Sequence, residues 1–309
     1  MKTYKLNTNS NFDERDINLT IGNFDGIHLG HRHIIDELIK ISKTNNHQSC
    51  LLSFLPHPRK FFGNFNENFN IISDDYKKKI LNKLGLDIYI DFEFNSSLAS
   101  LSPESFIKEI LCKKLNIKSI IVGEDFKYGK DRKGDLELLN SKSKEFLFDL
   151  KVIKPILDRN SNQKYSSSII RENLKNGKIE LVNEALGRKW SMASKVIVGD
   201  MRARKINFPT ANCEPGQHIL PLKGVYNVYA ILEGNKHKAI ANFGERPTVD
   251  GKKILLETHI FDFDEDIYGK ELTVEFLTFI RHEQKFDNFQ KLTEQINKDI
   301  KTARDYHRI

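Results

Sequence analysis

At 309 residues the chain exceeds the ~250–300 residues at which one hydrophobic core stops growing, so two domains are expected. Hydrophobic residues at 39%, including 21 Phe and 9 Tyr, argue against a disordered chain, and no run approaches the ~18 apolar residues of a membrane span. The net charge of +7 arises from dispersed runs such as Lys77-Lys78-Lys79, Lys113-Lys114 and Lys252-Lys253, read as solvated faces; basicity also suits an enzyme of polyphosphates.

Cys50, Cys112 and Cys213 lie far apart with no CxxC pair, which argues against a disulfide framework or a zinc ribbon. The N-terminal stretch, with Asn7, Asn9, Asn11 and Asp13, lacks the apolar run of a signal peptide. A cytoplasmic protein is expected.

The first half alternates strand and helix signals. Residues 17–21 alternate and stop at Gly22; Ile34, Ile35, Leu38 and Ile39 then share a helical face. Residues 50–54 read as a buried strand stopped by Pro56, 77–84 as a helix and 86–92 as a strand. Ser102-Pro103-Glu104 is a helix start with an N-cap, a proline at the first turn and an acid behind it. Phe106, Ile107, Ile110, Leu111 and Leu115 form its stripe, and 119–122 is the next strand. Apolar strands alternating with helices predict a parallel sheet covered on both faces.

After about residue 185 the pattern changes. Residues 195–199, 225–232, 238–243, 254–261 and 272–280 are strand-like, with turn signals at Glu233-Gly234-Asn235 and Asp250-Gly251. Successive strands predict an antiparallel barrel or sandwich. Phe289, Leu292, Ile296, Ile300 and Ala303 predict one closing helix. A boundary near Leu186-Gly187 gives domains of 1–185 and 186–309, the second expected to fold alone.

Gly22-Asn23-Phe24-Asp25-Gly26-Ile27-His28-Leu29-Gly30-His31 joins the first strand to the first helix. In a parallel sheet, ligands sit beyond the carboxyl ends of the strands, and helix N-termini attract phosphate. Gly22, Gly26 and Gly30 let the backbone approach a polyphosphate, while His28 and His31 can donate to phosphate oxygens that gain charge during substitution. His57, after the second strand, and Asp125-Phe126, after a later one, fall on the same edge. Ser167-Ser168 at a helix start, with Arg171 one turn on, suits a triphosphate.

In the second half, Phe208-Pro209-Thr210-Ala211-Asn212 offers a hydroxyl and an amide oxygen, both hard ligands suited to Mg²⁺. Alternation puts Ile254, Leu256, Thr258 and Ile260 on one strand face and Leu255, Glu257, His259 and Phe261 on the other. Taken from the strand alone, Glu257 reads as a solvated glutamate.

These segments together resemble the bacterial bifunctional riboflavin kinase/FAD synthetases, whose adenylyltransferase module belongs to the H-x-G-H nucleotidyltransferase superfamily. The resemblance spans nearly the whole chain in the right order. It implies a Rossmann-like nucleotidyltransferase domain followed by an antiparallel β-barrel with a C-terminal helix, and it implies the site residues. Gly22, Asn23, Phe24, Asp25, His28, Gly30, His31, Ser167, Ser168 and Arg171 would hold ATP for adenylyl transfer, with His57, Asp125 and Phe126 toward the flavin. In the kinase half, Thr210 and Asn212 would bind Mg²⁺ and ATP, Glu257 would be the general base, and Arg281 with Phe286 would hold the flavin. Riboflavin, FMN and ATP are then the small-molecule substrates, no nucleic acid or membrane partner is expected, and protein partners are left open.

The family carries glycines where this chain has Ser194, Ala203 and Asn207. Asparagine tolerates a left-handed backbone, whereas Ser194 and Ala203 would stiffen a phosphate-covering loop if φ were positive. Two other readings stand beside this one: a chain with only the adenylyltransferase active, and an RNA-binding or tRNA-aminoacylating protein suggested by H-L-G-H and the basic charge.

Overall fold

The apolar runs of the first half become the strands of a parallel sheet. A computed structural model describes residues 1–63, 68–158, 162–198, 208–248 and 251–308, with the side chains of 247, 248, 251 and 252 left aside. The chain divides into two units, Met1–Asn66 with Asp74–Ser166, and Glu67–Ser73 with Ser167–Ile309.

In the first unit, β1 (Lys2–Leu6), β2 (Ile17–Ile21), β3 (Gln48–Leu55), β4 (Ile88–Glu93), β5 (Ile117–Gly123) and β6 (Asp149–Ile153) pair in the order β1-β4-β3-β2-β5-β6. Their pairing is parallel throughout. The helices are α1 (Leu29–Asn45), α2 (Pro58–Phe62), α3 (Asp74–Leu84), α4 (Ser96–Ala99), α5 (Pro103–Ser105) and α6 (Leu136–Phe146). Ser102 caps α5 by accepting from Ser105 N at 3.1 Å. Beyond α5 the chain winds as a π-helix over Phe106–Lys114, with Leu115 N donating to Ile110 O at 3.0 Å. All five stripe residues of that segment are buried against Ile17, Leu19, Ile21, Leu52 and Ile90. The opposite face of β2 is polar yet equally buried. Asn18 donates to Ser42 of α1 at 3.1 Å and accepts from Ser119 at 2.8 Å, so its burial costs little.

The second unit holds α7 (Ser167–Lys175), α8 (Ile179–Leu186), β7 (Trp190–Ile197), β8 (Ala211–Cys213), β9 (Gly224–Leu232), β10 (Asn235–Thr248), β11 (Gly251–Ile260), β12 (Glu271–His282) and α9 (Phe289–His307). The strands close an antiparallel barrel in the order β10-β11-β8-β7-β12-β9, which settles barrel against sandwich. Glu233 and Gly234, at φ 49° and 86°, form the two-residue turn of the β9–β10 hairpin, as the sequence predicts. On the outside, α9 buries Val225, Ile240 and Phe261 beneath Ala303. Arg281 clamps α9 through Asp299, with Nε at 2.9 and 3.0 Å and Nη2 at 2.6 Å from the carboxylate oxygens.

Two expectations change. The strand predicted over 195–199 begins at Trp190, because Trp190 and Met192 are core residues; Gly199 lies outside the described residues, as do Ala203, Asn207 and Asp250. The solvated-face reading fails at Lys77 and Lys78. Lys77 is 8% exposed and shares the buried face of α3 with Leu81, one turn on, while Lys78 pairs at 2.7 Å with buried Asp91.

Candidate active sites

Three adjacent parallel strands, β3, β2 and β5, carry their following residues to one edge of the first sheet. The turn after β2 is tight. Phe24, Gly26 and Ile27 adopt φ of 48°, 91° and 41°, and both Phe24 and Ile27 are buried. A β-branched residue at positive φ is a genuine outlier, and such strain persists only where surrounding packing enforces it. Here Gly22 donates to Leu52 O at 3.0 Å, and a Cβ on Gly22 would lie 3.0 Å from the Phe24 ring. Gly30 has the same function beneath His28, whose ring lies 3.2 Å from where a Cβ would stand.

His28 is the N-cap of α1, and its Nδ1 accepts from His31 N at 3.2 Å. A nitrogen that accepts carries no proton, so the neutral ring holds its hydrogen on Nε2. The His28 and His31 rings stack at 3.6 Å, and His31 also meets Phe24 at 4.8 Å. Asp25, 9% exposed, completes the buried part of the turn. This is a rigid set of donors at a helix N-terminus, suited to an anion.

His57, after β3, caps α2 by accepting from Arg59 N at 3.1 Å. After β5, the Asp125 carboxylate receives Lys164 at 2.6 Å, a hydrogen bond that lowers its pKa. Phe126 stacks with Tyr128 at 5.5 Å. Ser167, Ser168 and Arg171 belong to α7 of the second unit; there Arg171 donates to Phe69 O at 3.1 Å and lies 3.9 Å over the Phe69 ring.

On the barrel, Glu257 projects outward while Leu256, Thr258 and Ile260 face the core. Asn212 stands opposite Glu257 on β8 and Asn242 opposite it on β10, so the three form one row across three strands. Asn242 donates to Glu257 Oε2 at 3.3 Å, and Arg246 donates to the same oxygen. Asn212, 7% exposed, makes no side-chain hydrogen bond among the described residues. A buried amide oxygen beside a carboxylate, with the Thr210 hydroxyl two residues earlier, would suit a magnesium ion. Such an ion needs only one or two protein oxygens. Among the described residues, no three His, Cys, Asp or Glu are grouped so as to hold a metal by themselves.

A family model for FAD synthetase matches residues 10–169, and one for riboflavin kinase matches residues 186–307. A protein of Buchnera aphidicola from Schizaphis graminum, named bifunctional riboflavin kinase/FMN adenylyltransferase, is 38% identical over 98% of this chain and 95% of its own. The protein of that name from Haemophilus influenzae is 37% identical over 93% of each chain. The chain belongs to this bifunctional family. A Streptococcus pneumoniae structure described as a macrolide-efflux protein matches over 98% of both chains, with TM-score 0.88 and 28% identity. That description belongs to the other protein; among the described residues here, no helix is long and apolar enough to cross a membrane.

Seen as a family member, the chain shows what sequence reasoning passed over. The strand expected over 238–243 runs on to Thr248, so Asn242 and Arg246, given no role from sequence, both stand on β10 and reach Glu257. His259 is a further case: its Nδ1 donates to Pro209 O at 2.8 Å, and Phe208 meets its ring edge-on at 5.8 Å. It thereby fixes the segment that carries Thr210. Arg281 is engaged by Asp299, and Phe286, partly exposed, follows β12. Ser194 lies in extended β7 opposite Leu272, so the cost expected of it at positive φ does not arise.

Burial lowers the pKa of His259, and likewise of His218 and His307, all three in the second unit. A histidine depressed in the fold and near ~6.5 when unfolded binds more protons in the unfolded state. The stability it contributes is complete above that pH and is lost as pH falls through the folded value. The second unit's thermal midpoint is therefore expected to fall as pH drops below ~6.5. Glu14, held at about 2 by Lys2, Tyr4 and Gln48, acts only in much stronger acid. Calorimetry across pH 5–8 checks this; a midpoint flat over that range contradicts it.

Proposed function

We propose that the chain phosphorylates riboflavin with ATP to FMN and transfers AMP from a second ATP to FMN, yielding FAD and pyrophosphate. The observation that carries this is the presence of two separately built sites, the strained histidine turn after β2 and the Asn212–Glu257–Asn242 row. In the first, the FMN phosphate is already anionic and attacks the α-phosphorus without a general base. His28 and His31 donate to oxygens that gain charge, and the N-terminus of α1 adds its dipole. Gly22, Asn23, Phe24, Asp25 and Gly30 shape that turn, with His57, Asp125 and Phe126 toward the flavin; Ser167, Ser168 and Arg171, which the family resemblance assigns to ATP, belong to α7 of the second unit.

In the second site, Glu257 takes the proton from the ribityl 5′-hydroxyl as that oxygen bonds the γ-phosphorus and ADP departs. Thr210 and Asn212 would hold Mg²⁺, which supplies charge neutralisation on the phosphates. Arg281 orders the flavin side by fixing α9 to β12, with Phe286 beside it. Both substrate sets are small molecules, and both steps suit the cytoplasm. Chromatography of products from riboflavin, ATP and Mg²⁺ tests the reading. FMN followed by FAD supports it; FAD formed only from supplied FMN reduces it to the adenylyltransferase, and no flavin product overturns it.

The kinase domain is proposed to need more chain than 186–309. Asn183 accepts from Trp190 N at 2.7 Å and donates to Phe276 O at 2.9 Å, and Ile170, Leu174, Ile179 and Val182 are fully buried. Each such side chain is worth roughly 1.5–3 kcal/mol of burial. A fragment of 167–309 is expected to unfold cooperatively, while 186–309 lacks a transition. Trp190 Nε1 donates to Ile71 O at 2.8 Å, so even the longer fragment should melt below the full chain. Equal melting of the two fragments would place the boundary at 186 after all.

A further inference from the structure

Lys77 of α3 lies outside the assignments made so far. It is a lysine in a surface-type run, yet only 8% of it is exposed. Its Nζ lies 3.5 Å from the carbonyl oxygen of Asn23, the second residue of the anion-binding turn, and 5.9 Å from the centroid of the Tyr89 ring. Its carboxylate partner is Asp74, at 3.1 Å, on the open side of α3 and 41% exposed. Asp91, the other buried acid here, is taken by Lys78 at 2.7 Å. A cation is thus set behind the turn, and among the described residues the carboxylate that pairs with it is one that water already screens.

Burying a lysine for stability alone is poor design, since desolvation offsets most of the gain from its ion pair. An ammonium against the turn does something else. It holds the Asn23 carbonyl, and with it the left-handed path through Phe24, and it adds fixed positive potential where water is scarce. We propose that Lys77 is a positioning residue of the adenylyl-transfer site, which raises the affinity of the turn for the polyphosphate of ATP and for pyrophosphate. The inference rests on the assignment of that turn to adenylyl transfer.

The test uses the full chain and two substitutions of opposite expected sign. Pyrophosphate is the useful probe, because the reverse reaction, FAD with pyrophosphate giving FMN and ATP, reads the adenylyl site alone. Lys77→Met keeps the length of the stem and removes the charge. It is expected to raise KM for ATP in FAD formation, and for pyrophosphate in reverse, by roughly tenfold, an effect that shrinks in high salt. Its thermal midpoint without ligand should be unchanged or higher, and riboflavin phosphorylation should be unaltered. Asp74→Asn removes the screening acid, so both KM values should fall, by about two- to threefold.

A structural ion pair makes the reverse pattern: both variants melt earlier and neither changes KM. That pattern overturns the proposal, as does normal KM in Lys77→Met or a raised KM in Asp74→Asn. If Lys77→Met fails to fold, Asp74→Asn decides: tighter binding supports the proposal, and unchanged or weaker binding overturns it. A wild-type chain that makes no FAD from FMN would instead remove the assignment of the turn itself.

Discussion

Glu257→Gln is expected to lower FMN formation from riboflavin by ~10²–10⁴-fold while FAD formation from supplied FMN continues unchanged. Glutamine preserves the shape and can still accept from Arg246 and Asn242 through its amide oxygen, so the row across β8, β11 and β10 should persist. What it cannot do is take the hydroxyl proton. The KM values for riboflavin and ATP should move little, because the lost interaction belongs to the transition state. Adenylylation of FMN in the same sample controls for folding. Full kinase activity in Glu257→Gln would make the residue a strand carboxylate that merely pairs with Arg246. A loss of kinase matched by an equal rise in KM would make it a binding residue.

Much of this arrangement was legible because it depends on local pattern. The run from residue 17 to 31 contains a strand period, three glycines and then a helix period, and the structure delivers β2, the turn and α1 in that order. Alternation alone put Glu257 on the outer face of β11. What stayed hidden depends on partners distant in sequence. Lys77 precedes Leu81 by one helical turn, but its setting within a run of three lysines masks that period, and its contact with Asn23 spans 54 residues. Trp190 looks like any core aromatic, but its Nε1 partner Ile71 lies 119 residues earlier in the chain. β8 is three residues long, too short to show a period, and its place is set by pairing with β7 and β11.

Replacing His28 and His31 together by alanine is expected to abolish FAD formation from FMN while leaving FMN formation from riboflavin intact. A preorganised donor to a developing anionic charge is worth ~10²–10³ in rate. The two rings stack at 3.6 Å and one caps the other's backbone, so they act as a unit and the single losses should not multiply. The alanine pair also removes the N-cap of α1, a change that costs about 0.5–2 kcal/mol of stability by itself. His28→Asn separates the two effects, because asparagine caps as well as histidine but offers no ring donor at the same reach. Its melting should match wild type, and its rate of FAD formation should still fall by ~10²-fold or more. Normal FAD formation in His28→Asn would reduce His28 to a helix cap and shift the stabilising role to His31 and the turn backbone. Loss of both activities in the folded double variant would defeat the division of the two reactions between two sites.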